Sequence, residues 1–545
     1  MTDDWADDEA DVAFAPPDRS ERREKRERRE RRARREVAHV RPPDERRLPA
    51  VLIVAAALAL AGLSGGLVAS GVAGGSPVAG VNVVAASPGP VVGPVAATSS
   101  AWYCPGPLPI GKKATSSIDL ANTSPHSVNA TLTITTVPGS VTSKVSLDLP
   151  ALGTASYTIP DNGNGAMEAA ASVLVQGGGV AVAERSSDNG APTTATCQVA
   201  PSPAWLLASG STGHAADVLV SLFDPTTLPA VVDLTCYIPA LPGTIPQAVI
   251  PPPLQGITLQ PGQMQVVDLG RVVQLKPDLA VAATASSGRV VVGAWTQIAV
   301  GRTYYGRLQA AASAPEPDWT FPVAAGPPGQ TPVYWLFNPS STATRVHVAL
   351  TFGSKESTSN DFSIAATSLA VVSPQVVTTA VPAEITTVAG PGVIAARGYV
   401  VGPAAPPARH SGNGKHRAVG PALASSYAPW SALGAVDAGQ RWLVFAPPLA
   451  AATAAERKKP RTEALYVANT GTTPAAVRLM LLGPTGAGRR LTAVAQPGST
   501  TEITIPAGTA TEAVVVEASA PVTVELDLYV KGQPSGNAEM GIPIG

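Results

Sequence analysis

The sequence predicts a mainly β protein: tandem immunoglobulin-like β-sandwich modules behind one N-terminal transmembrane helix. Three observations carry this. A hairpin pattern ending its first strand in Asn or Asp recurs four times, at spacings of 102, 114 and 131 residues. The flanks of each copy alternate apolar and polar residues, the period of half-buried strands. Residues 48–111 contain no Asp, Glu, Lys or Arg, in a chain holding 38 Lys+Arg and 39 Asp+Glu. At 545 residues several domains are expected. A net charge of −1 gives no global field toward nucleic acid, so no nucleic-acid partner is expected. Aromatics are 5%, so the core must rely on Val, Leu, Ile and Ala.

Residues 1–48 read as a charged cytoplasmic tail. Residues 1–18 hold seven acids and no base, and predict disorder. Residues 19–36 hold 11 bases and five acids. Glu21–Lys25, Glu24–Arg28, Glu27–Arg31 and Glu30–Arg34 are i,i+4 pairs that support a helix. No apolar stripe exists, so that helix is solvated or lies on anionic lipid.

Residues 49–75 predict the transmembrane helix. Their core, residues 50–73, is 24 uncharged residues, enough to cross a bilayer. Arg41, Arg46 and Arg47 precede it and the next basic residue is Lys112. This bias puts the N-terminus in the cytoplasm and the bulk outside, with the lipid bilayer as first partner. A cleaved signal peptide is the competing reading: residues 51–63 have the length of its apolar core. The 47-residue charged leader is long for that. Gly62, Gly66, Ser70 and Gly74 form a small-residue face suited to self-association through the helix. Residues 76–100 are a Pro/Gly/Ala linker.

The modules follow at residues 101–200, 201–312, 313–402 and 437–545, with residues 403–436 a linker or long loop. Their repeat-turn residues are Asn122, Asp224, Asn338 and Asn469. Short polar side chains there cap their own backbone and turn the chain. Each copy opens with a Trp segment (Trp102, Trp205, Trp319, Trp442) and later enters a valine run (at Val180, Val290, Val393, Val522). About seven short strands in roughly 100 residues describe an immunoglobulin-like sandwich. The rival fold is a β-propeller, whose blades take about 40–50 residues. The Asn/Asp turn recurs at the longer spacing, which favours sandwiches.

Cys104 follows the opening Trp of the first copy and Cys197 ends that copy, so a disulfide between them would join its first and last strands. Cys236 sits on a strand of the second copy and reads as buried. Spacing leaves every pairing open. No Ser-x-x-Lys and no P-loop is present. Gly62-Leu-Ser-Gly-Gly66 imitates a nucleophile elbow inside the membrane run. His410 and His416 are close in sequence, but they fall in an expected loop without further ligands. No catalytic, cofactor-binding or metal-ligating residue is therefore expected, and no cofactor.

The order of features resembles a family of actinobacterial membrane-anchored envelope proteins known only as a domain of unknown function. The carriers are the Arg/Glu leader, one membrane pass, the Trp102-Tyr-Cys104-Pro-Gly106 start and turns such as Leu336-Phe-Asn338-Pro339. Copies one and four replace Asn-Pro by Asn-Thr. The resemblance implies a cell-envelope location and transfers no functional residue. The expected role is a non-enzymatic binding or scaffold protein for an envelope protein or wall glycan. An extracellular carbohydrate-active enzyme, or an accessory subunit of one, is the alternative, because paired acids come from distant strands and leave no spacing to read.

Overall fold

A computed structural model describes residues 89–545, apart from residues 402–425, 447–460 and shorter internal segments. The charged tail, residues 50–73 with their proposed membrane crossing, and most of linker 76–100 lie outside the described residues. Among those described, no helix is long and apolar enough to cross a membrane. The architecture is mainly β, in antiparallel sheets none of which closes on itself.

The first module has β1 (Ser100–Pro109), β2 (Ala114–Asn122), β3 (Val128–Val137), β4 (Thr142–Leu149), β5 (Thr154–Thr158), β6 (Glu168–Gln176), β7 (Val180–Asp188) and β8 (Ala191–Thr196). They form two sheets, ordered β1-β6-β3-β4 and β5-β2-β7-β8. The alternation read from the sequence is met: along β3, Ala130, Leu132 and Ile134 are buried while Asn129 is exposed. Leu132 and Val173 of one sheet share a core with Leu120 and Val182 of the other. Non-directional burial of these aliphatic faces is what joins the sheets.

The second module has β9 (Ala204–Leu207), β10 (Ala216–Phe223), β11 (Ala230–Ile238), β12 (Gln247–Val249), β13 (Ile257–Leu259), β14 (Met264–Asp268), β15 (Ala280–Ser287), β16 (Val291–Val300) and β17 (Thr303–Ala310). The third has β18 (Asp318–Phe321), β19 (Gln330–Asn338), β20 (Thr344–Phe352), β21 (Lys355–Ile364), β22 (Ser368–Val372), β23 (Ala383–Ala389), β24 (Ile394–Val401) and β25 (Ser426–Leu433). The fourth has β26 (Gly439–Phe445), β27 (Arg461–Asn469), β28 (Ala475–Gly483), β29 (Gly486–Ala495), β30 (Ser499–Thr504), β31 (Ala513–Val530), β32 (Gly536–Met540) and β33 (Ile542–Pro543).

All four repeat one connectivity. The second module pairs β9-β15-β11-β12 and β14-β10-β16-β17; the third pairs β18-β23-β20-β21 and β22-β19-β24-β25. In the fourth, β31 serves as both the sixth and the seventh strand, pairing β26 and β28 with its first half and β27 with its second. An immunoglobulin sandwich shares the second–fifth and third–sixth pairings, but there the last strand lies beside the sixth. Here the seventh strand lies beside the second and the first beside the sixth. A glycine in the left-handed region ends the sixth strand's turn, as at Gly390 (φ +88°), where a Cβ would stand 2.5 Å from the Ala343 carbonyl.

Two segments read as linkers contribute to the body. Residues 426–433, within 403–436, are β25, which covers the open edge of β24. Val92, within 76–100, is fully buried and bridges Ile544 near the C-terminus.

The modules close into a ring through their last strands. β8 lies against β17, β17 against β25, β25 against β32, and β32 against β8. The repeating unit around the ring is a whole sandwich, not a propeller's single-sheet blade. Ser221 Oγ donates to Pro105 O between the first two modules (2.5 Å). Trp335 Nε1 donates to Asp278 between the second and third (2.9 Å). Arg397 pairs Glu525 between the third and fourth. Thr154 Oγ1 donates to Glu512 between the first and fourth (2.6 Å).

Candidate functional site

The repeat-turn residues lie apart, one per module, and each is fully buried. In Asn122, Asn338 and Asn469 the amide nitrogen donates to the carbonyl four residues on, at 2.8 Å in each case. It also donates across to the turn between fourth and fifth strands: Pro150 O (2.9 Å), Ala365 O (3.0 Å) and Ala495 O (3.0 Å). Oδ1 accepts the N–H two residues on. Asp224 keeps that acceptor role toward Thr226 N (2.9 Å) but has no N–H to donate. The three asparagines tie two turns together and spend their amides on the backbone, while Asp224 holds its own turn alone.

The Trp and Val signals meet in space. Trp205, Trp319 and Trp442 donate their indole N–H to the carbonyls of Val290, Val393 and Val522 (2.6, 2.8 and 2.9 Å). Each bond ties the first strand of its module to the chain entering the seventh. Cys104 and Cys197 are disulfide-bonded, joining β1 to the segment after β8. Glu184 lies beside them, fully buried, with Oε2 accepting Gly106 N–H (2.8 Å). Burial pushes its carboxyl up to about 8 against that hydrogen bond. Both thiols are consumed by the bridge, so this trio offers no metal ligand set as it stands. Cys236 is free and buried, and burial raises its thiol to about 12, which keeps it unreactive. His410 and His416 lie outside the described residues.

What the sequence reading missed is a string of buried charge along the ring axis. Arg185 pairs Asp119 (2.8 Å) within the first module and donates to Ala446 O of the fourth (3.2 Å). Arg397, fully buried, donates to both oxygens of Glu525 and to Val323 O, with Asp527 at 3.9 Å. Its guanidinium also stands 5.8 Å from the Phe321 ring centre and 5.4 Å from that of Tyr399. Burial raises Glu525, with Arg397 opposing and Asp527 adding to the rise.

Between these pairs stand Arg307 of β17 and Glu539 of β32. Arg307 Nη2 donates to Ala538 O (2.8 Å), and no carboxylate lies within ion-pair distance among the described residues. Burial, then Arg397 nearby, lowers it to about 10, so it stays charged at neutral pH. Burial raises Glu539 to about 8; Arg185, the Phe445 N–H and Arg307 pull the other way. The Phe445 N–H acts at a distance, outside hydrogen-bond geometry: neither oxygen of Glu539, nor Arg307 Nη1, has a hydrogen-bond partner among the described residues.

Arg307 and Glu539 line a half-open cavity of about 140 Å³ where all four modules meet. Thr194, Leu308, Leu433 and Met540 line it from the four last strands, with the buried Trp319 and Trp442 beside them. Asp437, exposed, stands on its rim near Pro90. The faint signal for the buried charge was a charged residue inside an otherwise apolar strand, as in Val-Glu-Leu-Asp at Val524–Asp527 and Ala-Arg-Gly at 396–398.

Among known families, a family of unknown function (DUF5719) matches residues 179–307. That span runs from the turn before β7 through β8 and the second module into β17, ending on Arg307. It therefore crosses the contact between the first two modules. No curated protein matches the chain.

Proposed function

We propose that the chain is a non-enzymatic, single-pass membrane-anchored protein of the cell envelope. Its body of four modules, outside the membrane, is a binding or scaffold platform for an envelope protein or wall glycan. The observation that carries this reading is the ring. Four sandwiches are locked by shared cores and buried ion pairs, which gives a rigid platform instead of a flexible string. The uncharged residues 50–73 behind three arginines support the anchor. The likeness to actinobacterial envelope proteins supports the compartment. Protease shaving of intact cells, with a tag at each end, tests the topology. The C-terminal tag is expected to be removed and the N-terminal tag to survive; protection of both, with the protein in the cytosol fraction, refutes the reading.

One observation favours a carbohydrate-active enzyme as the second reading: Glu539 and Asp437 line the same cavity, and Glu539 is raised as a general acid must be. Hydrolysis of a wall glycan that Glu539→Gln abolishes, with the fold intact, would establish it in place of the first.

A further inference from the structure

We propose that the central cavity binds the acetamido group of an N-acetylated amino sugar, its carbonyl on Arg307 and its N–H on Glu539. The inference deepens the reading of an envelope-binding platform and takes from it the choice of glycan as source.

The chemistry follows from two side chains. Arg307 is 4% exposed and Glu539 3%, and both face the cavity. Arg307 can only donate, and its Nη1 has no partner among the described residues. Glu539 has two oxygens without one, and either protonation state leaves an acceptor. A buried polar group without a partner costs about 1–3 kcal/mol, so a ligand that satisfies both is favoured. It must bring one acceptor and one donor. A secondary amide does this and carries no charge. A carboxylate ligand would find one free donor nitrogen and face the oxygens of Glu539. A simple ammonium would face the guanidinium.

Shape narrows the amide. About 140 Å³, at about 30 Å³ per water in the liquid, is room for about five waters. The walls beyond Arg307 and Glu539 are mostly apolar, with Leu308, Met540, Ala432, Trp319 and Trp442 beside the polar Thr194, Gln198 and Gln309. An acetamido group ends in a methyl, which these walls can cover. An internal peptide amide continues on both sides and needs a second exit. The rim carries the exposed Asp437, an acceptor for the hydroxyls of a sugar ring left at the mouth.

The test is ligand-observed NMR on the full-length chain in detergent micelles, with N-acetylglucosamine as the probe. Glucosamine and N-acetylalanine serve as comparison probes. Saturation is expected to reach the acetyl methyl most strongly, with glucosamine at least about tenfold weaker, the equivalent of one buried hydrogen bond. Glu539→Gln keeps an acceptor oxygen and should keep binding; Glu539→Leu should lose at least about tenfold. Ala432→Leu fills the cavity from another strand and should abolish binding with the melting temperature retained, which covers the case where Glu539→Leu misfolds. Equal binding of glucosamine, tighter binding of N-acetylalanine, or no binding by the folded chain would each overturn the proposal. Location plays no part in this measurement. A cytosolic protein that bound the sugar would refute the envelope reading alone, and an envelope protein that did not would refute this site alone.

Discussion

Asn338 spends its whole amide in a buried place. Nδ2 donates to Thr342 O and Ala365 O, and Oδ1 accepts from Ser340 N and Ser340 Oγ. Alanine there would leave the half-buried Ser340 N–H without its acceptor and take one donor each from Thr342 O and Ala365 O, which keep the hydroxyls of Ser340 and Ser368. A loss of about 1–3 kcal/mol is expected in urea unfolding, the cost of one unsatisfied group. Asn338→Asp should cost less, since it keeps the acceptor that Asp224 keeps in the second module. This demand explains why the turn was legible from sequence. A side chain that must donate twice and accept once restricts its position to one or two residue types, and so recurs. Trp205, Trp319 and Trp442 were legible for the same reason, because each supplies its N–H to a valine carbonyl; Trp102 Nε1 has no partner among the described residues. Arg185, Arg307, Arg397 and Glu525 were not. They occupy non-equivalent places in their modules, so no period marks them, and they meet through ring closure alone.

At the scale of elements, edges decide what holds. β25 falls within the stretch that reads as a linker or long loop, and it carries Pro429, which removes a ladder donor. Its register with β24 shifts between Gly398 and Val400, opposite that proline, which is how the strand tolerates it. A β-propeller competes with four sandwiches in sequence because each sandwich holds two sheets of about four strands, and the spacing of the Asn/Asp turn decides between them. The connectivity of the seventh strand was illegible, since alternation gives a strand its buried face and says nothing of its neighbour. The first module is pinned at its ends by Cys104–Cys197, 93 residues apart. Closing a loop of that size contributes about 4–5 kcal/mol by the chain-entropy model, and removing a native disulfide typically costs about 2–5. Cys104→Ala with Cys197→Ala should therefore lower the unfolding free energy by several kcal/mol. Melting of the parent with and without reductant should show a loss of the same size.

At the scale of the whole molecule, the core of the first module runs into Trp295 and Leu308 of the second and Leu443 and Phe445 of the fourth. Shared cores and cross-module ion pairs make the ring one cooperative unit, so calorimetry should give a single transition for the described body; separate transitions for separate modules would contradict this. The same burial sets its pH response. Glu184 in the first module and Glu539 in the fourth are both raised to about 8 by burial, from an ordinary carboxyl value near 4.5. Between those limits the native state holds protons that the unfolded chain has released. Stability from these groups is full below pH 4.5, falls as pH rises, and is lost by about pH 8. Each contributes a slope of up to about 1.4 kcal/mol per pH unit inside that window. Urea unfolding at half-unit steps should show stability declining from pH 5 to 8 and levelling above. Glu184→Gln and Glu539→Gln should each flatten part of that decline, because an amide has no proton to lose. A parent protein whose stability rose across the window would mean that these carboxylates are ionised in the fold, with water or a cation reaching them along the ring axis.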